Sequence, residues 1–329
     1  MNLLVVTNNP TRASFRQRIG IYLDFLRTKD INCEVAKLPS GSLARRKLFK
    51  QAGKFDGVFL HKKGLNFLDA LWLRKYSKKI IYDFDDAIMY NPKAPEANSL
   101  SHFIPFRRTV GLANAVIAGN SYLAEHAKRF NPNVEILPTG LDTNAYKQLA
   151  NPQNDGKIRL VWIGSKSTLR YLTEIGAALE EISSRFDNVI LRLICDDFPD
   201  LQNITVEKRL WSKESEAMDL ATSDIGLAPL PDNRFTKGKC GFKILQYAAA
   251  GLPIVASPVG VNTRYIQQGS NGFLAHSDSD WVNHLSQLIN EPELRKQMSQ
   301  NAGQIVQRFD LKILGPDLTR LIRQCIEIS

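Results

Sequence analysis

The segment Lys237–Gly272, KGKCGFKILQYAAAGLPIVASPVGVNTRYIQQGSNG, sets cations and glycines where a helical pattern begins. The first-turn N–H groups of a helix and its dipole favour an anion. Gly241, Phe242 and Lys243 are therefore candidates to hold a phosphate. The AAAG end of the helix is small and apolar, which allows close packing on a sheet. Pro253 then leads into a buried strand predicted at Ile254–Ser257. Such an arrangement suits a phosphate-bearing ligand at the carboxyl edge of a parallel sheet.

Other residues could share that work. Lys166 follows Gly164 and Ser165 at the end of a predicted buried strand, with Arg170 four residues on. Arg16 and Arg18 follow the first predicted strand, where they could meet an anionic acceptor or the phosphate of a ligand. Asp83, Asp85 and Asp86, in YDFDDA, could bind a divalent cation as three carboxylates in four positions. They fall in the first half of the chain, away from the predicted phosphate site. Acceptor hydrogen bonding, with Asp85 as a candidate, or an arginine partner is therefore preferred, and no metal is expected. A Ser–His–Asp set, a zinc motif and a phosphate-loop signature are all missing, since GSKS lacks the flanking glycine. The four cysteines, Cys33, Cys195, Cys240 and Cys325, have no paired spacing, which argues against zinc and against disulfides.

Strand and helix patterns alternate along the chain. Predicted strands at Asn2–Thr7, Asn32–Leu38, Gly57–His61, Ile80–Phe84, Ala115–Ala118 and Val134–Leu137 form a first series. Helices are predicted at Phe15–Thr28 and Leu68–Tyr76. A polar, turn-forming stretch near Leu149–Gly156 reads as a linker. The second series has strands at Arg159–Ile163, Val189–Cys195 and Ile225–Ala228. Its helices are predicted at Leu169–Ile182, Lys213–Thr222 with Ser212 as N-cap, Asp280–Asn290, Pro292–Arg308 and Leu311–Ile328. This alternation predicts two α/β, Rossmann-like doubly wound domains facing each other across a cleft.

The 329 residues exceed one ordinary core. Hydrophobic residues make up 43% and charged residues 23%, the balance of a soluble globular protein. No run approaches the roughly 20 apolar residues that span a bilayer. The start MNLLVVTNNP lacks a basic leader region, so a cytoplasmic location is expected. The net charge of +10 is uneven: residues 1–150 hold 23 Lys+Arg against 12 Asp+Glu, and the remainder is nearly neutral. Anionic lipid head groups or an anionic acceptor would account for the basic half, as would a solvated surface that aids solubility. Nucleic acid is not an expected partner, because no recognised motif accompanies the charge.

The chain resembles the retaining glycosyltransferases of family 4 over nearly its whole length. The segment IGLAPLPDNRFTKGKCGFKILQYAAAGLPIVASPVGVNTRYIQQGSNGFLA looks like that family's donor-binding region. VIAGNSYLAEHA, ILPTGLDTNAY and RLVWIGSKSTLRYL match in order and spacing. The resemblance implies the GT-B fold, with residues 1–150 binding acceptor and 151–308 binding a nucleotide sugar. It also implies a helix at 309–329 packing back on the first domain. The implied reaction moves a sugar from a UDP- or GDP-sugar donor to a glycan or lipid-linked acceptor in surface polysaccharide or glycolipid synthesis. It proceeds with retention and without a metal or other cofactor, at the inner membrane face.

The resemblance implies a donor-diphosphate role for Lys166 and Arg170, and a role near the reacting sugar for His61. Gly140 and Asp142 match a turn before the hinge. Two glutamates seven residues apart are usual in the family, the first touching the transferred sugar. Here Gly238 stands in place of the first, and Gln246 replaces the second, keeping an amide for the ribose hydroxyls. Lys237, Lys239 and Asp232 are candidates to meet the transferred sugar instead of that first glutamate. Trp211 and Glu216 fall near where the base should sit. The missing acidic pair leaves a rival reading, a non-catalytic nucleotide- or glycan-binding subunit.

Overall fold

The computed structural model describes residues 1–147, 155–199, 201 and 204–327. Residues 149–154 of the expected linker, and Ile328 of the expected tail helix, lie outside them. The chain divides into two compact units. One comprises Met1–Leu141, Asn233–Cys240 and the tail from Phe309; the other comprises Asp142–Asp232 and Gly241–Arg308. The short segment Asn233–Cys240, expected within the second domain, is thus part of the first unit.

The first unit holds six parallel strands: β1 (Asn2–Thr7), β2 (Asn32–Lys37), β3 (Gly57–His61), β4 (Ile80–Phe84), β5 (Ala115–Ala118) and β6 (Val134–Ile136). Their order is β2-β1-β3-β4-β5-β6. Every residue of β3 and β4 is buried, as expected of parallel strands covered on both faces. The order reverses between β1 and β3, which places the carboxyl ends of those strands at a topological switch point. The tail helix Leu311–Glu327 packs against Leu23–Arg27 and Gly20–Tyr22 of this unit. Gly140 is tightly enclosed there: a Cβ would lie 2.3 Å from the Tyr22 hydroxyl.

The second unit has β7 (Ile158–Ile163), β8 (Val189–Cys195), β9 (Val206–Leu210), β10 (Ile225–Ala228), β11 (Ile254–Ala256) and β12 (Gly272–Leu274). Their order, β12-β11-β10-β7-β8-β9, is the Rossmann order, and all pairs are parallel. Here the switch point lies between β7 and β10. Those strands pair only at Ile225 with Leu160 and Gly226 with Val161. Beyond that they are joined by a side chain: the Tyr247 hydroxyl accepts from the Ile163 N–H at 3.1 Å and donates to the Leu227 carbonyl at 3.0 Å. A Cβ on Gly226 would lie 2.5 Å from the Tyr247 ring, so glycine is what lets the ring lie on the strand.

Three expected helices differ. Phe15–Thr28 is broken into Ala13–Arg18, a 3-10 turn Gly20–Tyr22, and Leu23–Arg27. Ile19 leaves helical geometry just before Gly20, whose entropic cost weakens a continuous helix. Leu169–Ile182 is interrupted at Ile175, and a new helix, Gly176–Arg185, begins beyond it. Lys213–Thr222 shrinks to Glu216–Ala221. The Ser212 hydroxyl accepts from the Ser215 N–H at 3.0 Å, so it closes the turn before the helix rather than capping the helix itself. Strand β9 has no apolar run to mark it in the sequence, because VEKRL is charged, and it lies half-exposed at the sheet edge.

Candidate active site

The key helix is Phe242–Ala249. Gly241 precedes it in the left-handed region at φ 65°, with Tyr265 and Val261 packed where a Cβ would stand. This turn aims the first helical residues at the carboxyl end of β7. Lys243 crosses to that strand end, with its Nζ 3.9 Å from the centroid of the buried Trp162 ring. Gly164 makes room for it: a Cβ there would lie 2.4 Å from Trp162 Cη2 and 2.6 Å from Lys243 Nζ. Gly164, Gly241, Phe242 and Lys243 are thus gathered at the switch point of the Rossmann-ordered sheet. Among the described residues, no side chain caps the helix start.

Lys166, Ser165 and Arg170 lie apart from this contact. The Lys166 ammonium is 76% exposed and pairs with Asp197 at 2.9 Å, while its backbone N–H bonds Asp196 at 2.6 Å. Ser165 forms a capping box with Thr168. Arg170 stacks beside Tyr171, 5.1 Å from its ring centroid.

A second cluster forms around Glu216, the first residue of its helix. Gln246 is 3% exposed and donates its amide to Glu216 Oε1 at 2.7 Å. The Tyr146 hydroxyl donates to the same oxygen at 2.9 Å, and Trp211 Nε1 donates to Oε2 at 2.5 Å. The cluster brings together Gln246, Glu216 and Trp211, and adds Tyr146, which sequence reasoning missed. A carboxylate offers about four lone-pair sites, so it retains acceptor capacity beyond these three donors.

In the first unit, charge is concentrated at the carboxyl ends of β1, β3 and β4. Arg18, expected to meet a ligand, is instead 2% exposed and bound to Asp83 through Nη2 at 2.7 Å, with Nε at 3.1 Å. Its Nη1 donates to the Leu137 carbonyl at 2.7 Å. Arg18 is the last residue of the helix Ala13–Arg18, which ends at Ile19, and its buried partners leave it no outward reach. Arg16, on the same helix, is half-buried.

Asp85, expected to bind acceptor, pairs with Lys62 at 3.0 Å, and Asp86 lies between Lys62 and Lys239, the latter at 2.8 Å. Burial alone would raise the Asp86 pKa; the two ammonium groups reverse this and hold it below the carboxylate range. Among the described residues, no group of three His, Cys, Asp or Glu is arranged to hold a metal.

His61 ends β3 and is 2% exposed. Its Nδ1 lies 3.2 Å from the Thr7 hydroxyl at the end of β1, and its buried Nε2 has no hydrogen-bond partner among the described residues. Burial lowers its pKa, outweighing Asp85 and Asp83, so the ring is neutral at pH 7.

The segment 233–240 is held on this unit by side-chain bonds. Asn120 caps Ser121–Lys128 through the Leu123 N–H and donates to the Gly238 carbonyl at 3.0 Å. Tyr122 donates to the Arg234 carbonyl at 2.9 Å, and Arg234 lies 4.2 Å from the Tyr90 ring centroid. A Cβ on Gly238 would lie 2.7 Å from Ala87 Cβ, so no larger residue fits there without displacement. Of Lys237, Lys239 and Asp232, the candidates to meet the transferred sugar, Lys239 reaches Asp86.

Two doubly wound sheets, the second in Rossmann order, make the fold that of the GT-B glycosyltransferases. HepE of Anabaena, solved with UDP and glucose, superposes with a TM-score of 0.72 at 17% identity, covering 98% of this chain and all of that one. Sucrose-phosphate synthase from Thermosynechococcus elongatus gives 0.74 at 14% identity, with complete coverage of both. WaaG, a glycosyltransferase involved in lipopolysaccharide biosynthesis, gives 0.70 at 15% identity over 97% of this chain and 99% of that one.

Residues 222–304 match the family described as glycosyl transferases group 1. That range includes β10, the segment 233–240 and the key helix. An 80-residue stretch is 31% identical to D-inositol 3-phosphate glycosyltransferase of Stackebrandtia nassauensis, covering 24% of this chain and 18% of that relative. The match thus spans under a fifth of that curated protein's length.

Proposed function

We propose that the protein transfers a glycosyl group, with retention, from a UDP- or GDP-sugar to a glycan or lipid-linked acceptor. The observation that carries this reading is the meeting of Lys243, Gly164 and the start of the key helix at the switch point of the second sheet. Glycosyl transfer from a diphosphate donor builds negative charge on the leaving phosphate. A cation and backbone N–H groups aimed at it stabilise that charge. Lys243 supplies the cation, and Gly241 and Phe242 the backbone, without a metal. The HepE structures with UDP and UDP-glucose support a nucleotide-sugar donor for this fold.

Glu216 and Gln246 hold the ribose hydroxyls as a pair: Gln246 orients the carboxylate, and the carboxylate accepts from the sugar. Lys166, whose ammonium is exposed beside Asp197, and Arg170 add positive charge for the donor diphosphate. His61, neutral and with Nε2 unengaged, hydrogen-bonds the reacting sugar. The acceptor is met at the inner membrane face by the basic first unit. The test is release of UDP or GDP from a panel of nucleotide sugars. Release that disappears in Lys243→Ala supports an enzyme; tight nucleotide binding without turnover across the panel, with membrane extract added, supports the binding subunit.

A further inference from the structure

We infer that Asn120 is a positioning residue for the donor site. Its side chain fixes the end of the segment 233–240, and with it the first turn of the key helix. The role rests on the glycosyl-transfer reading for what the helix start binds, and on geometry alone for how that start is held. Asn120 comes two residues after β5 and is buried. Its Oδ1 accepts from the Leu123 N–H at 3.0 Å, which caps the helix Ser121–Lys128. Its Nδ2 donates to the Gly238 carbonyl at 3.0 Å, with the Lys239 carbonyl at 3.3 Å and Cys240 Sγ at 3.4 Å. An N–H on one side and two carbonyls on the other admit a single orientation of the amide. A cap needs only the oxygen, which serine or aspartate supplies as well as asparagine. The nitrogen has no part in the cap, and the segment engages it.

Other contacts hold the same end. Cys240 is buried in the core of the first unit, and its Sγ donates to the Asp85 carbonyl at 3.3 Å. Gly119 makes its seat: a Cβ there would lie 2.4 Å from that sulfur. Phe235 packs against the same core. Asn233 stiffens the segment from within, because its Oδ1 accepts from the Phe235 and Thr236 N–H groups at 3.0 and 2.9 Å. Residues 233–240 thus form a short stiff piece fixed to the first unit.

The next residue in the chain is Gly241, the left-handed turn that opens the key helix. Gly241 alone separates the anchored Cys240 from Phe242, and Lys243 follows at once. A shift of the anchor therefore passes along the backbone to the N–H groups and the cation proposed to meet the diphosphate. Misplacement of about 1 Å at such groups can cost about a hundredfold in rate.

Asn120→Ser keeps an oxygen for the cap but is too short to reach the Gly238 carbonyl. Cys240→Ala empties the seat on Gly119 and leaves Asn120 in place. Hydrogen exchange is followed by mass spectrometry in the parent and both variants, without nucleotide. Exchange should rise by about threefold to tenfold within residues 237–246, where the Leu245 N–H bonds the Gly241 carbonyl at 3.3 Å. It should stay at the parent's rate in β3 and β8. Calorimetric titration should show UDP or GDP affinity, whichever the parent has, falling by about twofold to thirtyfold in each variant. A merely structural role would speed exchange throughout the first unit and leave nucleotide affinity at the parent's value. That result, or unchanged exchange at 237–246 in both variants, overturns the positioning role. A parent that binds neither nucleotide overturns the glycosyl-transfer reading instead, and the exchange rates at 237–246 then decide by themselves whether Asn120 sets the helix start.

Discussion

The ammonium of Lys243 lies 3.9 Å from the centre of the Trp162 ring. A cation over a buried indole gains about 0.5–2 kcal/mol. Charge-assisted hydrogen bonds to phosphate gain about 1.5–3 kcal/mol each. The ring therefore parks the lysine at the end of β7, and a diphosphate can draw it away. Lys243→Ala should weaken UDP or GDP affinity roughly tenfold to a hundredfold, about 1.4–2.8 kcal/mol, and lower stability by about 0.5–2 kcal/mol through loss of the indole contact. Calorimetric titration checks the affinity.

Gly164 occupies the space between that lysine and that ring. Gly164→Ala places a methyl 2.6 Å from Lys243 Nζ and 2.4 Å from Trp162 Cη2. The lysine must leave its seat or the strand end must shift. The expected outcome is a loss of nucleotide affinity comparable to Lys243→Ala, with a fall in stability of about 1–3 kcal/mol from overpacking. Urea denaturation beside the titration reads both effects.

Tyr247→Phe removes the hydroxyl that links Ile163 N–H to Leu227 C=O. Two buried backbone groups then lack partners, at about 1–3 kcal/mol each. A stability loss of about 2–6 kcal/mol is expected from the urea midpoint. A loss below about 0.5 kcal/mol would mean that the hydroxyl does not join the strands.

Burial keeps His61 neutral by lowering its pKa below the ordinary value of about 6.5. Below that ordinary value the unfolded chain takes up a proton that the folded chain resists. Stability therefore falls as pH drops from that ordinary value to the lowered folded-state pKa, by at most about 1.4 kcal/mol per unit for this one group, and is recovered as pH rises again. His61→Gln should flatten the dependence of the urea midpoint between about pH 7.5 and 5.5. An unchanged slope would place the pH dependence on other groups.

Removing one partner of a buried ion pair leaves a charge without compensation, at a cost of about 3–5 kcal/mol. Asp83→Ala should destabilise the first unit by about that amount, because Arg18 is fully enclosed. The double variant R18M/D83L should lose less than D83A alone. A double variant at least as unstable as Asp83→Ala would show that the pair is worth more than its apolar replacement.

Much of this arrangement could be read from the chain. Buried runs such as GVFLH and VILRLIC have one reading as parallel strands, and β3 and β8 are at those residues. The glycine–lysine helix start was legible because Gly241 and Lys243 are unusual company for an apolar helix. What could not be read was which cations the fold sets against buried acids. Arg18 and Lys62 look like surface cations in sequence, and only the fold brings Asp83, Asp85 and Asp86 against them. Gln246 reads as a lone amide until Glu216, thirty residues earlier, is seen to receive it. Tyr247 sits in an apolar helix, where nothing nearby signals that its hydroxyl bridges two strands.

The central claim is that Lys243 and Gly164, at the end of β7, receive the diphosphate of a nucleotide-sugar donor. A crystal of the protein soaked with UDP tests it most directly. The account predicts a phosphate oxygen about 3 Å from Lys243 Nζ, with the ribose at Glu216 and Gln246. UDP bound elsewhere, with Lys243 still seated on Trp162, would contradict it.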